Sequence, residues 1–365
     1  MTPPTLVLPA TTNRMTDPIA PAAEGLGIVL SGTGGVWRIR RDDGLVVDAA
    51  LRGRLKRFDD AKGKQARADK AGGRARASVK SRADKRDDRN EESEAPTLKL
   101  AVGDEVQIER DEGAERWAIS GILPRRSQLA RRAPGGGYGE RIVAANVDQV
   151  LVVFAAANPE PHPRMLDRFL IIAEANDIAA RVVINKADLV SPESVRLRFA
   201  DYERAGYPVH VTSTATGRGL ESLRAVLEGR TTALSGPSGV GKSSLMNAMF
   251  QGLDLRVGEI SQSVNKGRHT TVGALLHPLP SGGFVVDTPG LREIGMWGLT
   301  AEHLDGYFPE FRPYLGECRF ADCVHVVEPG CAVRDALARD DISATRYDTY
   351  VKLLDELANE AESWE

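Results

Sequence analysis

Residues 236–244 read Gly-Pro-Ser-Gly-Val-Gly-Lys-Ser-Ser, a run that few folds can carry. It follows a short apolar-ended stretch, Thr231 to Leu234, and opens the helix-like stretch Leu245-Met246-Asn247-Ala248-Met249. Gly236, Gly239 and Gly241, spaced by Pro237, Ser238 and Val240, let the backbone turn so tightly that successive N–H groups face one point. Such a nest holds an anion. Lys242 and Ser243 then complete the spacing Gly-x4-Gly-Lys-Ser of a phosphate loop, with Ser244 behind them. The helix N-terminus adds its dipole, the lysine reaches the β and γ phosphates, and the Ser243 hydroxyl is placed to ligate Mg2+. The alternative is a Gly-rich turn with a chance lysine, and a strand before and a helix after argue against it.

The loop does not say which nucleotide is bound. Upstream, the apolar run Arg181-Val182-Val183-Ile184 reads as a buried parallel strand, and Asn185-Lys186-Ala187-Asp188 sits at its C-terminal end, where open α/β sheets bind ligands. The Asp188 carboxylate can accept from both the ring N1–H and the exocyclic amine of guanine, whereas adenine offers an acceptor at N1 and no 2-amino group. A mismatched base would leave that carboxylate unpaired, at a cost of about 1–3 kcal/mol. Asn-Lys-x-Asp by itself is a common surface turn, and the phosphate loop gives it weight.

Other elements agree. Thr212-Ser213-Thr214, before Gly217-Arg218-Gly219-Leu220, is placed to bring Ser213 and Thr214 to the guanine carbonyl. Gly267-Arg268-His269-Thr270-Thr271 reads as a first switch, with Thr270 or Thr271 able to reach Mg2+. The apolar run Phe284-Val285-Val286 delivers Asp287 to a strand end beside the Mg2+ shell, and Gly290 of Asp287-Thr288-Pro289-Gly290 can offer its N–H to the γ-phosphate. An ordinary GTPase has its phosphate loop first and its base-reading loops last. Here Asn185 to Ser213 precede Gly236 to Gly290, so the domain is circularly permuted. Permutation keeps the site because all these loops occupy one edge of one sheet. It also lets the second switch feed directly into whatever follows Gly290.

These motifs in this order, with a cysteine cluster near the C-terminus, resemble the bacterial ribosome small-subunit-dependent GTPases, the RsgA or YjeQ family. The resemblance covers most of the chain. It implies a multidomain α/β protein with an N-terminal β-barrel of the OB-fold, a circularly permuted P-loop GTPase domain and a C-terminal helical zinc-binding domain. The partner it implies is the small ribosomal subunit with its rRNA.

In the 365 residues, 42% hydrophobic and 27% charged content suits a soluble protein of two or three domains, with no membrane class implied. A net charge of −3 confines any RNA contact to local patches. Residues 1–24, rich in Thr, Pro and Ala, lack a secretory signal and are expected to be a disordered cytoplasmic tail. From Gly25, the segments Leu26 to Leu30, Val36 to Arg40, Leu45 to Ala49, Val106 to Ile108 and Trp117 to Ile119 give about five strands, enough for a small barrel over 25–124. Arg38, Arg40, Arg52, Arg54 and Lys56 lie beside Trp37, which either stacks on an unpaired base or belongs to the core. The charged stretch 59–94 interrupts the barrel; it is a solvated insertion or an RNA-binding arm. Residues 125–145, with Arg125-Arg126, Arg131-Arg132 and Gly135-Gly136-Gly137, are expected to be a linker into the GTPase domain at 146–295. There Pro163 opens a helix with core residues Leu166, Phe169, Leu170 and Ala173, and Ala274 to Val286 reads as a hairpin.

Over 296–365 the chain turns to helices broken by Pro309, Pro313 and Pro329, and all three cysteines appear as Cys318-x4-Cys323-x-His325-x5-Cys331. Three thiolates and an imidazole make a closed tetrahedral set for one structural Zn2+; the alternative is three buried cysteines in a reducing cytosol. Ser343 to Glu360 reads as an amphipathic helix with Tyr347, Tyr350, Leu353, Leu354 and Leu357 on one face, packed back on the body.

Many GTPases place a glutamine just after Asp-x-x-Gly to orient the attacking water, and here that residue is Leu291. A slow intrinsic rate is expected, with another group completing the site. His269 is the candidate, against a structural or partner-facing role. Supplying a missing group can raise phosphoryl transfer by roughly 10³–10⁵. The expected protein is a monomeric cytoplasmic GTPase of late small-subunit assembly, stimulated by the subunit as it turns GTP into GDP and phosphate. The rivals are a GTP-stabilised RNA-binding module and a GTPase acting on another RNA such as tRNA.

Overall fold

The computed structural model describes residues 25–33, 35–52, 99–110, 116–132, 140–250, 252, 253, 255, 274–287 and 299–362. The alternating segments after Gly25 form β1 (Gly25–Thr33), β2 (Val36–Arg41), β3 (Val46–Leu51), β4 (Glu105–Arg110) and β5 (Trp117–Ile122). They close into a barrel in the order β1-β2-β3-β5-β4, antiparallel except where β3 pairs with β5. The two-residue strand period turns Val29, Ile39, Ala49, Val106, Ile108 and Ile119 inward as a buried cluster.

Trp37 lies directly opposite Gly32 across β1 and β2. A Cβ at Gly32 would stand 2.1 Å from the indole, and the buried ring Nε1 has no hydrogen-bond partner. One face of the ring is therefore covered by the barrel's own strand, which is the packing alternative for this residue. Arg38 ion-pairs with Asp48 and Arg52 with Glu109, so part of the basic face is neutralised locally. Arg54, Lys56 and the insertion 59–94 lie outside the described residues, as does the tail 1–24.

The segment expected to be a linker carries an antiparallel pair, β6 (Gln128–Arg132) with β7 (Glu140–Ala145). Buried Leu129 and Ala144 join the core that lies under the large sheet. Arg125 meets the buried Asp104 at 2.6 and 2.8 Å, and the Asn146 amide donates to the Gly103 carbonyl at 3.0 Å. The barrel and the body that follows it thus meet through a built seam.

The large sheet runs β10-β9-β8-β11-β13-β12. Its strands are β8 (Gln149–Ala155), β9 (Ala179–Asn185), β10 (Val209–Val211), β11 (Thr231–Ser235), β12 (Leu275–Pro278) and β13 (Phe284–Asp287). All pair in parallel except β12 with β13, the expected hairpin. Every residue of β8 is buried, as a central strand covered on both faces requires. The helices are α1 (Pro163–Ala175), α2 (Pro192–Arg204), α3 (Leu220–Leu227) and α4 (Lys242–Met249). After β8 the chain moves to β9 and β10 on one side and returns through β11 on the other, so the strand order reverses beside β8. Ligands of open α/β sheets bind at such a reversal, outside the carboxyl ends of the strands.

The C-terminal part is short 3₁₀ turns followed by α5 (Ala332–Ala338) and α6 (Ala344–Glu362). Tyr350, Leu353 and Leu357 of α6 are buried in a core with Phe308, Phe311 and Ile171 of α1, so the helix does pack on the body. No helix among the described residues is long and apolar enough to cross a membrane.

Candidate functional site

Four strand ends converge on one edge of the sheet. Asn185 ends β9, Thr212 and Ser213 follow β10, Gly236 follows β11 and Asp287 ends β13. The loop at 236–241 needs its glycines. Gly236 has φ +124°, and a Cβ there would sit 2.1 Å from the Val153 carbonyl oxygen of the neighbouring strand. Gly241 has φ +93°, and its Cβ would sit 2.5 Å from the Asn185 amide nitrogen. Between them Ser238 and Gly239 are exposed, while Val240 is buried and anchors the loop. Lys242 begins α4, and its ammonium donates to the Gly236 and Pro237 carbonyls at 2.6 and 2.7 Å. Ser243 and Ser244 follow in the first turn, half-buried.

The base-reading tetrapeptide and the phosphate loop hold each other. Asn185, fully buried, donates to the Val240 carbonyl at 3.0 Å and accepts from the Thr212 hydroxyl at 3.3 Å. Lys186, in a left-handed turn at φ 58°, donates to the Gly239 carbonyl at 2.7 Å and to that of Asn158. That turn tips the chain over, and the Ala187 N–H donates to the Thr212 carbonyl at 3.1 Å. Asp188 is left exposed at the mouth of the site, with one carboxylate oxygen accepting from the buried Ser213 hydroxyl at 2.5 Å. The Thr216 N–H donates back to that hydroxyl at 3.2 Å, and Thr214 lies half-buried beside it. A ligand with two adjacent donors meets a carboxylate already oriented; a phosphate meets a loop already bent.

The structure therefore brings together Asn185, Lys186, Ala187, Asp188, Ser213, Thr214, residues 236–244 and Asp287. His269, Thr270, Thr271 and Gly290, with Leu291, lie outside the described residues. Asn158 was not anticipated, because nothing local in Asn158-Pro159 marks its carbonyl as a lysine acceptor.

The second site is the cysteine cluster. One ligand atom each from Cys318, Cys323, His325 and Cys331 lies within 4.8 Å of all the others. His325 Nδ1 is 3.5 Å from the Cys318 sulfur and 3.4 Å from that of Cys331, and those two sulfurs are 3.9 Å apart. Tetrahedral bonds of about 2.3 Å to sulfur and 2.0–2.1 Å to nitrogen give edges of about 3.5–3.8 Å, so the donors fit a metal ion of that size. Asp305 stands on the far side of the ring, 3.3 Å from Nε2. This contact lifts the His325 imidazole to about 9 and holds the Asp305 carboxyl below its usual range. Burial pushes the Cys323 thiol up to about 12, a state a bound cation would reverse. Glu328 ties the knuckle between the ligands, accepting from the Val324, Val326 and Val327 N–H groups at 3.1, 3.0 and 3.0 Å. Neither Asp305 nor Glu328 was visible in the ligand spacing, since Asp305 acts from outside it and Glu328, though between His325 and Cys331, accepts backbone N–H groups and is not one of the ligands.

A family profile for the RsgA GTPase matches residues 122–297. A curated relative from Gemmatimonas aurantiaca, named small ribosomal subunit biogenesis GTPase RsgA, is 60% identical over 332 residues, covering 91% of this chain and 97% of its own. One of the same name from Alkaliphilus metalliredigens is 42% identical over 70% of this chain and 85% of its own. Among solved structures, YjeQ from Thermotoga maritima superposes with a TM-score of 0.70 at 32% identity, covering 92% of this chain and 99% of its own. The fold is also that of YloQ, described as a circularly permuted GTPase, with a TM-score of 0.65 at 24% identity. With its permuted motifs on one sheet edge and relatives matched along nearly their whole length, the chain belongs to the RsgA GTPase family.

Proposed function

We propose that this chain is the GTPase of small ribosomal subunit biogenesis in its cell, binding the subunit in its GTP form and leaving it after hydrolysis to GDP and phosphate. The observation that carries the reading is the clasp in which Asn185 and Lys186 hold the Val240 and Gly239 carbonyls, because it makes one site of a base-reading loop and a phosphate loop. In this reading Asp188 accepts from guanine, Ser213 holds that carboxylate in place, and the N–H groups of residues 236–244 face the phosphates with Lys242. Ser243 and Asp287, with Thr270 or Thr271, are oxygen donors suited to Mg2+, which when bound neutralises charge on the β and γ phosphates. Gly290 offers its N–H to the γ-phosphate. His269 is the chain's own candidate for orienting water, in place of the glutamine that Leu291 replaces. Cys318, Cys323, His325 and Cys331 would hold one Zn2+; with four protein donors the site is closed, and the ion's chemistry there is structural.

The boundaries that suit these sites are a barrel domain over 25–124, a GTPase domain over 146–295 and a metal-binding domain over 296–365. A cytoplasmic monomer is the form we expect to meet the subunit. A nucleotide-dependent cycle needs different affinities of the two nucleotide states for the subunit, since equal affinities shift nothing. Co-sedimentation with purified small subunits tests this. A non-hydrolysable GTP analogue is expected to bring the chain down with the subunit at least about tenfold more tightly than GDP; equal binding in both states would contradict the cycle.

A further inference from the structure

Two neighbouring residues on α6 face different parts of the molecule. The Tyr347 hydroxyl donates to the His325 carbonyl at 2.6 Å, and Tyr350, one turn on, donates to the Val324 carbonyl at 2.9 Å. Both hold the backbone of the metal-binding knuckle from outside. Arg346 turns instead toward the GTPase body. Its guanidinium donates to Asp167 of α1 at 2.7 Å and to both oxygens of Glu310 at 2.6 and 3.0 Å. The three side chains are sealed from water, at 1% exposure for Arg346, 0% for Asp167 and 6% for Glu310.

A buried ion pair tolerates little displacement, because separating the partners leaves a charge unpaired in a poorly polarisable interior. Arg346 therefore fixes the first turns of α6 against α1. The same turns fix the carbonyls of Val324 and His325. On the opposite side of the imidazole, Asp305 accepts from Nε2 and is itself held by the Gly306 N–H at 2.8 Å, which directs Nδ1 to the two sulfurs. A carboxylate on the outer nitrogen sets ring orientation and tautomer in metal-bound histidines, and losing such a partner typically costs 10–100-fold in metal affinity.

Resting on the metal reading of the cysteine cluster, we infer that Asp305 and Tyr347 are positioning residues for the metal. We further infer that metal occupancy and the seating of α6 on α1 stabilise each other through Arg346. Coupling of this kind is reciprocal: whatever the metal contributes to the α1 contact, that contact contributes to metal affinity.

The test uses the full-length chain bound to GDP. Zinc affinity is measured by competition with a chromophoric chelator for the wild type, Tyr347→Phe, Asp305→Asn and Arg346→Met, and amide hydrogen exchange is followed with and without zinc. Tyr347→Phe and Asp305→Asn are expected to weaken zinc binding about tenfold or more. Arg346→Met, which touches no metal ligand, is expected to weaken it at least about threefold. Removing zinc from the wild type is expected to speed exchange in α1 and leave barrel strand β2 unchanged. Wild-type zinc affinity in both Tyr347→Phe and Arg346→Met, or exchange in α1 indifferent to zinc, would overturn the coupling. Should Arg346→Met fail to retain GDP, Tyr347→Phe decides at saturating zinc: faster α1 exchange supports the link and the wild-type rate refutes it. A wild-type chain that takes up no zinc overturns the metal reading itself, a result distinct from variants that match a zinc-holding wild type.

Discussion

The Asn185 amide donates to the Val240 carbonyl at 3.0 Å, joining residues 55 positions apart in the chain. In a permuted domain this bond restores what chain order has separated, because the base-reading strand β9 and the phosphate loop after β11 lie on either side of β8. Asn185→Ala leaves a buried carbonyl without its partner, a loss of about 1–3 kcal/mol. Guanine nucleotide affinity is expected to fall at least about tenfold, together with the melting temperature. Titration calorimetry with GDP alongside a thermal melt checks both; unchanged affinity would show that the clasp does not support the loop.

Asp188 stands exposed, with one oxygen taken by Ser213 at 2.5 Å. Asp188→Asn replaces an acceptor with a donor, which suits a base bearing an acceptor where guanine has its amine. GTP binding is expected to weaken and xanthosine triphosphate binding to improve. Ser213→Ala, which removes only the orienting donor, is expected to weaken GTP by a smaller factor, on the order of fivefold, with base preference retained. A preference unaltered in Asp188→Asn would remove that residue from base recognition.

Lys242 lies in the first turn of α4 against the carbonyls of its own loop, far along the chain from the cysteine cluster. Lys242→Ala or Ser243→Ala is expected to abolish GTP turnover with zinc content unchanged, measured by phosphate release and metal analysis on one preparation. Parallel loss of zinc would mean that the variants misfold.

The Glu328 carboxylate is partly desolvated, which opposes its charge. Hydrogen bonds from its own N–H and those of Val324, Val326 and Val327 outweigh that and hold it at about 2 instead of 4.5. A depressed carboxylate contributes stability above its unfolded value and loses it as pH falls through the folded one. In metal-free protein the 318–331 segment is therefore expected to loosen as pH falls from about 4.5 to about 2, and Glu328→Gln to flatten that dependence. Tyrosine fluorescence or exchange of the Val324, Val326 and Val327 amides follows it; an identical acid profile in the variant would assign the stability to other groups.

The phosphate loop, the central strands and the permuted order were legible in sequence because each is local: glycine spacing, apolar runs and motif order need no knowledge of distant contacts. The pair β6–β7 was not, because both strands are short, their charged residues Arg131, Arg132, Glu140 and Arg141 lie toward the connection between them, and the residues buried in them are Leu129 and the small Ala144 and Ala145. Trp37 read equally well as a stacking platform until the register set it against Gly32. The metal ligands were visible as a spacing, whereas Asp305 and Tyr347 reach the cluster only through tertiary packing, and Glu328 acts locally on the backbone around His325, a role its residue type does not mark. Arg346 looked like one more polar position on an amphipathic helix, and only folding shows it buried between two carboxylates.

Whether this chain is a GTPase driven by the small subunit is decided by phosphate release from GTP, with ATP as control, by the chain alone and with purified small subunits, large subunits or tRNA. Slow release alone, stimulation of at least about 10-fold by small subunits only, and no release from ATP are expected. Tight GTP binding with no stimulation by any partner would contradict that activity and leave a nucleotide-stabilised RNA-binding protein.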